Sequence, residues 1–360
     1  PIPMGRPSCW GGIPEMKRRD RLLSGPGAMA VLAIVLVACT LLSFLFGRYP
    51  VPFSELCGIL WNKFLSIFGA GTDKFWTDAM EAAVWNVRLP RVLMSVLVGA
   101  CLSAAGAAYQ GVFQNPMAAP DVLGASAGAG FGAALAIYVG LSSAYITLAA
   151  FGMSLLTVVL VFWVSKHAKG ERVLGLVLAG IMVSSLFQAG TSFIKLAADP
   201  TNKLPQITYW LMGSLSGMDW EDLGFVIWPM LVGLVPLFLL RWRLNVLAMG
   251  DDEARAMGVD AGRLRIWLII AATLVTAASV SVSGMIGWVG LVIPHMVRRI
   301  CGSDYRWLMP GCMLGGGIFL LIVDNLSRNI STSGIPIGIL TAFVGAPFFL
   351  LLITGRGERL

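Results

Sequence analysis

The sequence predicts an all-α polytopic membrane protein, and three observations carry that prediction. Of 360 residues, 57% are hydrophobic and only 12% charged, where soluble domains carry about 25% charged residues. The mean hydropathy is +0.80. Apolar runs recur along the whole chain at close to the roughly 20 residues a helix needs to cross a ~30 Å hydrocarbon layer, which allows about ten spans and leaves no room for a large soluble domain.

The net charge of +7 is read as the lysine and arginine excess of cytoplasmic loops, and no nucleic-acid partner is expected. The six cysteines (Cys9, Cys39, Cys57, Cys101, Cys301, Cys312) form no C-x-x-C pair, and several lie in apolar runs where a thiol behaves as a small hydrophobe. The two histidines, His167 and His295, are too few for a histidine-built metal centre. Neither a disulfide framework nor a metal site is expected.

Residues 1–27 are polar and rich in glycine and proline. The opening on Pro1 points to an expression scar or trimmed start, with Met4 or Met16 as the native beginning. "MKRRDR" (16–21) precedes the first apolar run, 28–46, which is longer than a signal-peptide core and lacks an A-x-A-like cleavage site. It is read as the first span, held N-terminus-in by its basic flank. Further runs lie at about 92–109, 122–139, 146–164, 173–196, 225–240, 266–282, 284–299, 307–326 and 337–353, making ten with the first. An inside start places "KHAKGER" (166–172), the loop 241–265 and the tail 355–360 in the cytoplasm, and the positive-inside bias agrees at each.

The run "GMIGWVGLVIPHMVRR" (284–299) is the unusual one. Arg263 and Arg265 precede an apolar region of roughly 32 residues, and Arg298, Arg299 and Arg306 follow it. One long helix leaves one of these clusters outside. Two arms breaking near "SVSG" (281–284) put both inside, at about 16 residues or about 24 Å each. Arms that short are tolerated where protein, not lipid, satisfies the freed backbone groups. Small residues crowd "GACLSAAGAAYQG" (99–111) and "GASAGAGFGAALA" (124–136), as close helix packing in lipid requires.

No G-x-x-x-x-G-K-[ST] motif is present, so the chain does not itself cradle ATP phosphates in the usual way. Asp121, Asp199 and Asp324 lie near predicted span ends, as does Lys195, so the coupled mid-span acids of an ion-driven carrier are not seen. The loop "MGDDEARAMGVDAGRLR" (249–265) reads as a short amphipathic helix with a glycine break, either a solvated connector or a docking helix. "RLPR" (88–91) and Arg328 fall at outer mouths, against the usual bias. Their readings are interfacial snorkelling or recognition of an acidic external partner through bidentate forks.

The segments "RLPR" (88–91), "YQGVFQNPMAAPDVLGASAGAG" (109–130), "WLMGSLSG" (210–217), "GDDEARAMGV" (250–259), "GMIGWVGLVIPHMVRRICGSDYRWLMPGC" (284–312), "DNLSR" (324–328) and "IPIGILTAFVGAPFF" (335–349) together resemble the FecCD-type permeases of binding-protein-dependent ABC importers. That group includes the vitamin B12, haem and ferric-siderophore permeases. The resemblance runs in order from about residue 85 to the end and implies a type II importer permease fold of ten helices with both termini cytoplasmic. It also implies a homodimer with two ATPase subunits below and a periplasmic binding protein above, in a bacterial or archaeal cell membrane. Such a chain is not an enzyme and holds no cofactor; ATP and Mg belong to the partner ATPase.

Residue by residue, the resemblance implies that Arg88, Arg91 and Arg328 dock the binding protein. Asn115 and Met117 would narrow the cytoplasmic gate, with a second constriction near Gly170 and Glu171. Gly250, Glu253, Ala254 and Gly258 would contact or shape the ATPase coupling segment, and Pro294, His295 and Arg298 form a signature near the inner face. In two places the chain departs from the family pattern: Gly334 stands where a glutamate is usual, and Gln114 where arginine or lysine is common. The implied cargo is a metal chelate (haem, ferric siderophore or cobalamin), with molybdate or tungstate in some branches. An ion-coupled secondary transporter and a receptor or scaffold are the alternatives of other classes.

Overall fold

The computed structural model describes residues 25–354 apart from 48, 50, 67–68, 70–73, 168–171 and 331–333. The expectations for the two tails, and for the constriction at Gly170 and Glu171, lie outside the described residues. All regular structure among those residues is helical.

The first helix, α1 (Gly25–Leu45), packs along one side against the helix near the far end of the chain and leaves the other side open. The connection after α1 then folds into α2 (Phe53–Ser66), which hydropathy alone does not mark. A continuous helix follows, built of α3 (Asp78–Ala82), a π-helical turn (Ala83–Arg88) and α4 (Leu89–Val112). It begins about four turns before the expected 92–109 run, because its polar first turns find partners. Thr77 caps it by accepting the Met80 N–H at 3.3 Å. Glu81 meets Lys63 at 2.7 Å and Lys74 at 2.9 Å. Hydropathy registers such residues only as a loss of signal.

The remaining helices are α5 (Ala125–Val139), α6 (Ser143–His167), α7 (Arg172–Ala197), α8 (Lys203–Leu211), α9 (Trp220–Leu239), α10 (Arg241–Met249), α11 (Asp251–Ala256), α12 (Ala261–Ser283), α13 (Val289–Cys301), α14 (Tyr305–Ile330) and α15 (Ile337–Thr354). Seven helices among the described residues are long and apolar enough to cross a membrane: α1, the 35-residue 78–112 helix, α6, α7, α9, α12 and α14. The apolar α5, α13 and α15 are shorter.

The centre of the molecule is α4, buried over nearly its whole length against α12, α13 and α14. The small residues of 99–111 explain how. A Cβ on Gly106 would stand 1.8 Å from the carbonyl oxygen of Gly290, and one on Gly99 would stand 2.2 Å from that of Gly316. Those backbones touch, as helices do in lipid when packing rather than the hydrophobic effect drives association. Lower on α4, Tyr109 shares a buried 2.8 Å hydrogen bond with Thr273 of α12.

The broken pair forms where expected, but its arms are unequal. Asp260 caps α12 by accepting the Arg263 N–H at 3.0 Å, so that helix takes in both flanking arginines and runs 23 residues, while α13 has only 13. The break is made by Gly284 at φ +66°, with Trp288 at φ +70° opening α13. Protein satisfies the freed backbone: the Ser283 carbonyl accepts the Ser214 N–H at 2.8 Å, and the Gly213 carbonyl accepts the Ile337 N–H at 2.8 Å. Both donors flank α8 or α15, so three elements meet at the break.

Candidate functional site

Where α4 begins and α14 ends, the end expected to face outward, Arg91 and Arg328 converge on Asp324, a carboxylate with no solvent exposure. Arg91 donates to Oδ1 from Nε at 2.9 Å and from Nη2 at 2.8 Å, and its Nε is shared with Oδ2 at 3.3 Å. The Nε of Arg328 lies 3.1 Å from Oδ2, while its Nη2 donates to the Ser43 hydroxyl at 2.9 Å and to Asn325. Arg88, itself buried, donates to the carbonyls of Phe44 and Tyr49. The three arginines predicted from sequence are thus brought together, and each is already engaged within the chain. They line one 520 Å³ cavity with Gly47, Tyr49, Ser216 and Gly334. One aspartate against three guanidiniums leaves the cavity with two positive charges in excess. The sequence marks Asp324 as an acid near a span end and as the head of "DNLSR", with no role attached. Its i,i+4 spacing to Arg328 was the available signal, and the partnership with Arg91, 233 positions away, was not.

Gly334, the departure from the family pattern, has φ +75°. Its site therefore favours glycine on backbone grounds alone.

Below the outer cavity, a 670 Å³ groove runs over α15 and the end of α8, lined by Met212, Met285, Gly338, Phe343 and Pro347 among others. It shares Met285 and Gly287 with a 240 Å³ cavity beneath the helix break, whose wall includes Thr276, Trp288 and Asp121. Asp121 Oδ1 accepts the Ser126 N–H at 3.1 Å and so sits at the start of α5. It is the one charged side chain among the described residues lining these two cavities. The sequence marks it as a span-end acid within the 109–130 motif, and only the turn 113–124 folding back toward Gly290 places it here.

That turn carries Asn115 and Met117. Asn115 closes it through its own N–H to the Gln110 carbonyl at 3.1 Å and through its side-chain oxygen to the Met117 N–H at 2.9 Å. Met117 is exposed. Gln114 adopts φ +48° and donates its amide to the Leu247 carbonyl of α10 at 2.9 Å. A residue singled out as a departure therefore links the expected gate to the segment 241–265.

That segment is two helices at a corner. Gly250, at φ +135°, makes the corner, and a Cβ there would lie 2.3 Å from the Glu253 carboxylate, which folds back over it. Ala254 is buried, and Gly258 at φ +75° has no atom within 4 Å of its would-be Cβ. Arg265 holds the corner to α12 through Asp251 at 2.7 Å, and Asn245 holds α10 to the start of α14 through Asp304 at 2.8 Å. The acids Asp252 and Glu253 and the large apolar residues Met249 and Met257 stay exposed around it.

Pro294, His295 and Arg298 all lie on α13, with Pro294 buried inside the helix. His295 is at its middle, its ring 6.3 Å from that of Phe348 on α15. The described residues contain no cluster of histidine, cysteine and acids that could hold a metal.

Known proteins resemble this chain over most of its length. The signature of the FecCD transport family matches residues 35–355. The molybdate import permease MolB of Haemophilus influenzae is 38% identical over 332 residues, covering 92% of this chain and 96% of its own. The cobalamin import permease BtuC of Halobacterium salinarum is 35% identical, covering 93% and 92%. A solved structure assigned to the metal-chelate type of ABC transporter, in an inward-facing conformation, superposes with a TM-score of 0.81 at 36% identity, covering 91% of this chain and 99% of that one.

Proposed function

The chain belongs to the FecCD transport family, whose members are ABC-transporter permease subunits and not themselves enzymes, and from that premise we propose that it is the membrane-spanning half of an importer for a metal chelate: haem, a ferric siderophore or a cobalamin. In this reading ten spans, the seven long helices with α5, α13 and α15, form one subunit of a homodimer in a bacterial or archaeal cell membrane, with both termini inside. Two ATPase subunits, which bind ATP and Mg, sit below; a periplasmic binding protein docks above.

The observation that carries the reading is the corner at Gly250. A short acidic helix displayed beyond the membrane spans and tied to α12, on a corner whose other arm, α10, is tied to the start of α14 and accepts from Gln114 of the 113–118 turn, suits a part that receives motion and passes it on. Closure of the ATPases on ATP would press on α10 and α11. The turn bearing Asn115 and Met117 would move with them and open or shut the inner end of the groove on α15. At the outer end, the two surplus positive charges of the arginine cavity suit carboxylates of the binding protein. Asp324 and the Phe44 and Tyr49 carbonyls would hold the guanidiniums in place for that contact.

Reconstituted vesicles test this. Uptake should require ATP, the ATPase and the binding protein; uptake driven by a proton or sodium gradient alone would overturn it. MolB at 38% identity favours a second cargo, molybdate or tungstate. The ligand retained by the purified binding protein decides between oxyanion and chelate. His295, packed on Phe348 beside Pro294 and near Arg298, is assigned a structural role at the inner half of α13 rather than metal ligation.

A further inference from the structure

The halves of α5 and α6 next to their connecting turn, the outer halves in the topology proposed above, cross by backbone contact. A Cβ on Gly132 would stand 2.4 Å from the carbonyl oxygen of Ala149, so no side chain fills the crossing. A trough of 390 Å³ is left beside it, lined by Gly132, Ala136, Val139, Leu141, Ala149 and Gly152 with Leu135 and Met153, all glycine or apolar. Gly152 faces open space, with no atom within 4 Å of its would-be Cβ. The trough lies away from the groove on α8 and α15 and shares no lining residue with it.

What stands at its upper end identifies an occupant. Tyr138 and Tyr145 are both exposed, one on each helix next to the connecting turn, and exposed tyrosines of this kind mark the level of lipid headgroups. The ammonium of Lys203 rests on the Tyr138 carbonyl at 2.6 Å, 5.5 Å above the Tyr138 ring centre and next in sequence to Val139 of the trough. That contact uses one of three N–H donors, and no carboxylate among the described residues lies within ion-pair distance of it. The neighbouring acid, Asp199, accepts from the Thr201 and Asn202 amides and feels the Lys203 charge from beyond ion-pair distance.

We propose that this trough is a phospholipid site of the outer leaflet, with one acyl chain lying between α5 and α6 and the phosphate on Lys203. An acyl chain suits a narrow channel with no polar wall, and an anionic phosphate suits a cation held at headgroup height with donors to spare. A helix from another protein would fill the trough equally well by shape but would leave the Lys203 donors without an acceptor.

The test uses the full chain in its complex, stripped of lipid in detergent and then titrated with phosphatidylglycerol while bound lipid is counted by native mass spectrometry. Gly152→Leu fills the trough from a position with free space around it, so the fold is not burdened. Bound phosphatidylglycerol should fall roughly tenfold, the loss of about two buried methylenes. Lys203→Ala should erase any preference for phosphatidylglycerol over phosphatidylcholine, and Lys203→Arg should retain it. Unchanged lipid occupancy in Gly152→Leu overturns the proposal. So does a Gly152→Cys variant that cross-links efficiently to a second copy or another subunit in the membrane, since that makes the trough a protein interface.

Discussion

Replacing Asp324 with asparagine keeps the shape of the outer cluster and removes its only negative charge. Asp324 has no exposure, and the side chains of Arg91 and Arg328 are 14% and 12% exposed. Breaking a buried ion pair by removing one partner costs about 3–5 kcal/mol, because the remaining charge stays desolvated. Here two guanidiniums lose their counter-ion, but the cavity beside them admits water, which screens part of the loss. A destabilisation near the lower end, about 3 kcal/mol, is therefore expected for Asp324→Asn. Denaturant unfolding of the purified subunit, followed by tryptophan fluorescence, measures it. The same substitution raises the cavity's excess from two positive charges to three. If the cavity receives carboxylates, binding-protein association should tighten at low salt and fall more steeply as salt rises. Stability within about 0.5 kcal/mol of the parent, the range of ordinary surface substitutions, would refute the buried-pair argument. A weaker, salt-insensitive association would refute the electrostatic one, and the two results are independent.

Other substitutions probe the remaining joints. Arg88→Glu, Arg91→Glu and Arg328→Glu should each weaken binding-protein association in pull-down at low salt and each perturb folding, the first by facing the Phe44 and Tyr49 carbonyls with an anion and the other two by setting a second carboxylate against buried Asp324. Gln114→Ala removes one part-buried hydrogen bond worth about 0.5–1.5 kcal/mol, yet should reduce substrate-stimulated ATP hydrolysis far more than it lowers Tm. Gln114→Gly relieves the positive φ and should be as uncoupled but more stable than Gln114→Ala. Gly250→Ala places a Cβ against Glu253 at φ +135° and should cost about 1–3 kcal/mol locally, read as faster amide exchange across α11 and lower stimulated ATPase activity. Gly106→Val drives a side chain into the Gly290 backbone, and overpacking of that kind costs about 1–3 kcal/mol or more; loss of detergent-stable complex in size-exclusion chromatography reports it.

Composition, hydropathy and charge parity determined that this chain is helical, lies in a membrane and breaks a pair of arms near Gly284. Those properties follow from short-range physics: lipid length sets the runs, and arginines on both flanks require a break between them. The family motifs likewise mark Arg88, Arg91, Arg328 and Gly250, which the structure gathers into one cavity and one helix corner. Local sequence could not carry α2, α8 or the early start of the 78–112 helix, because polar residues that find distant partners look, in a hydropathy profile, like residues that have none. It was equally silent on Asp324 as the shared counter-ion of Arg91 and Arg328, on Asp121 in the wall of a cavity, and on Gln114 reaching Leu247. Each of these depends on backbones brought within contact distance at Gly99, Gly106 and the α12–α13 break. In lipid, where apolar surface alone does not choose neighbours, that choice falls to close backbone packing and to polar groups that must find partners, and both exist only once the helices have assembled.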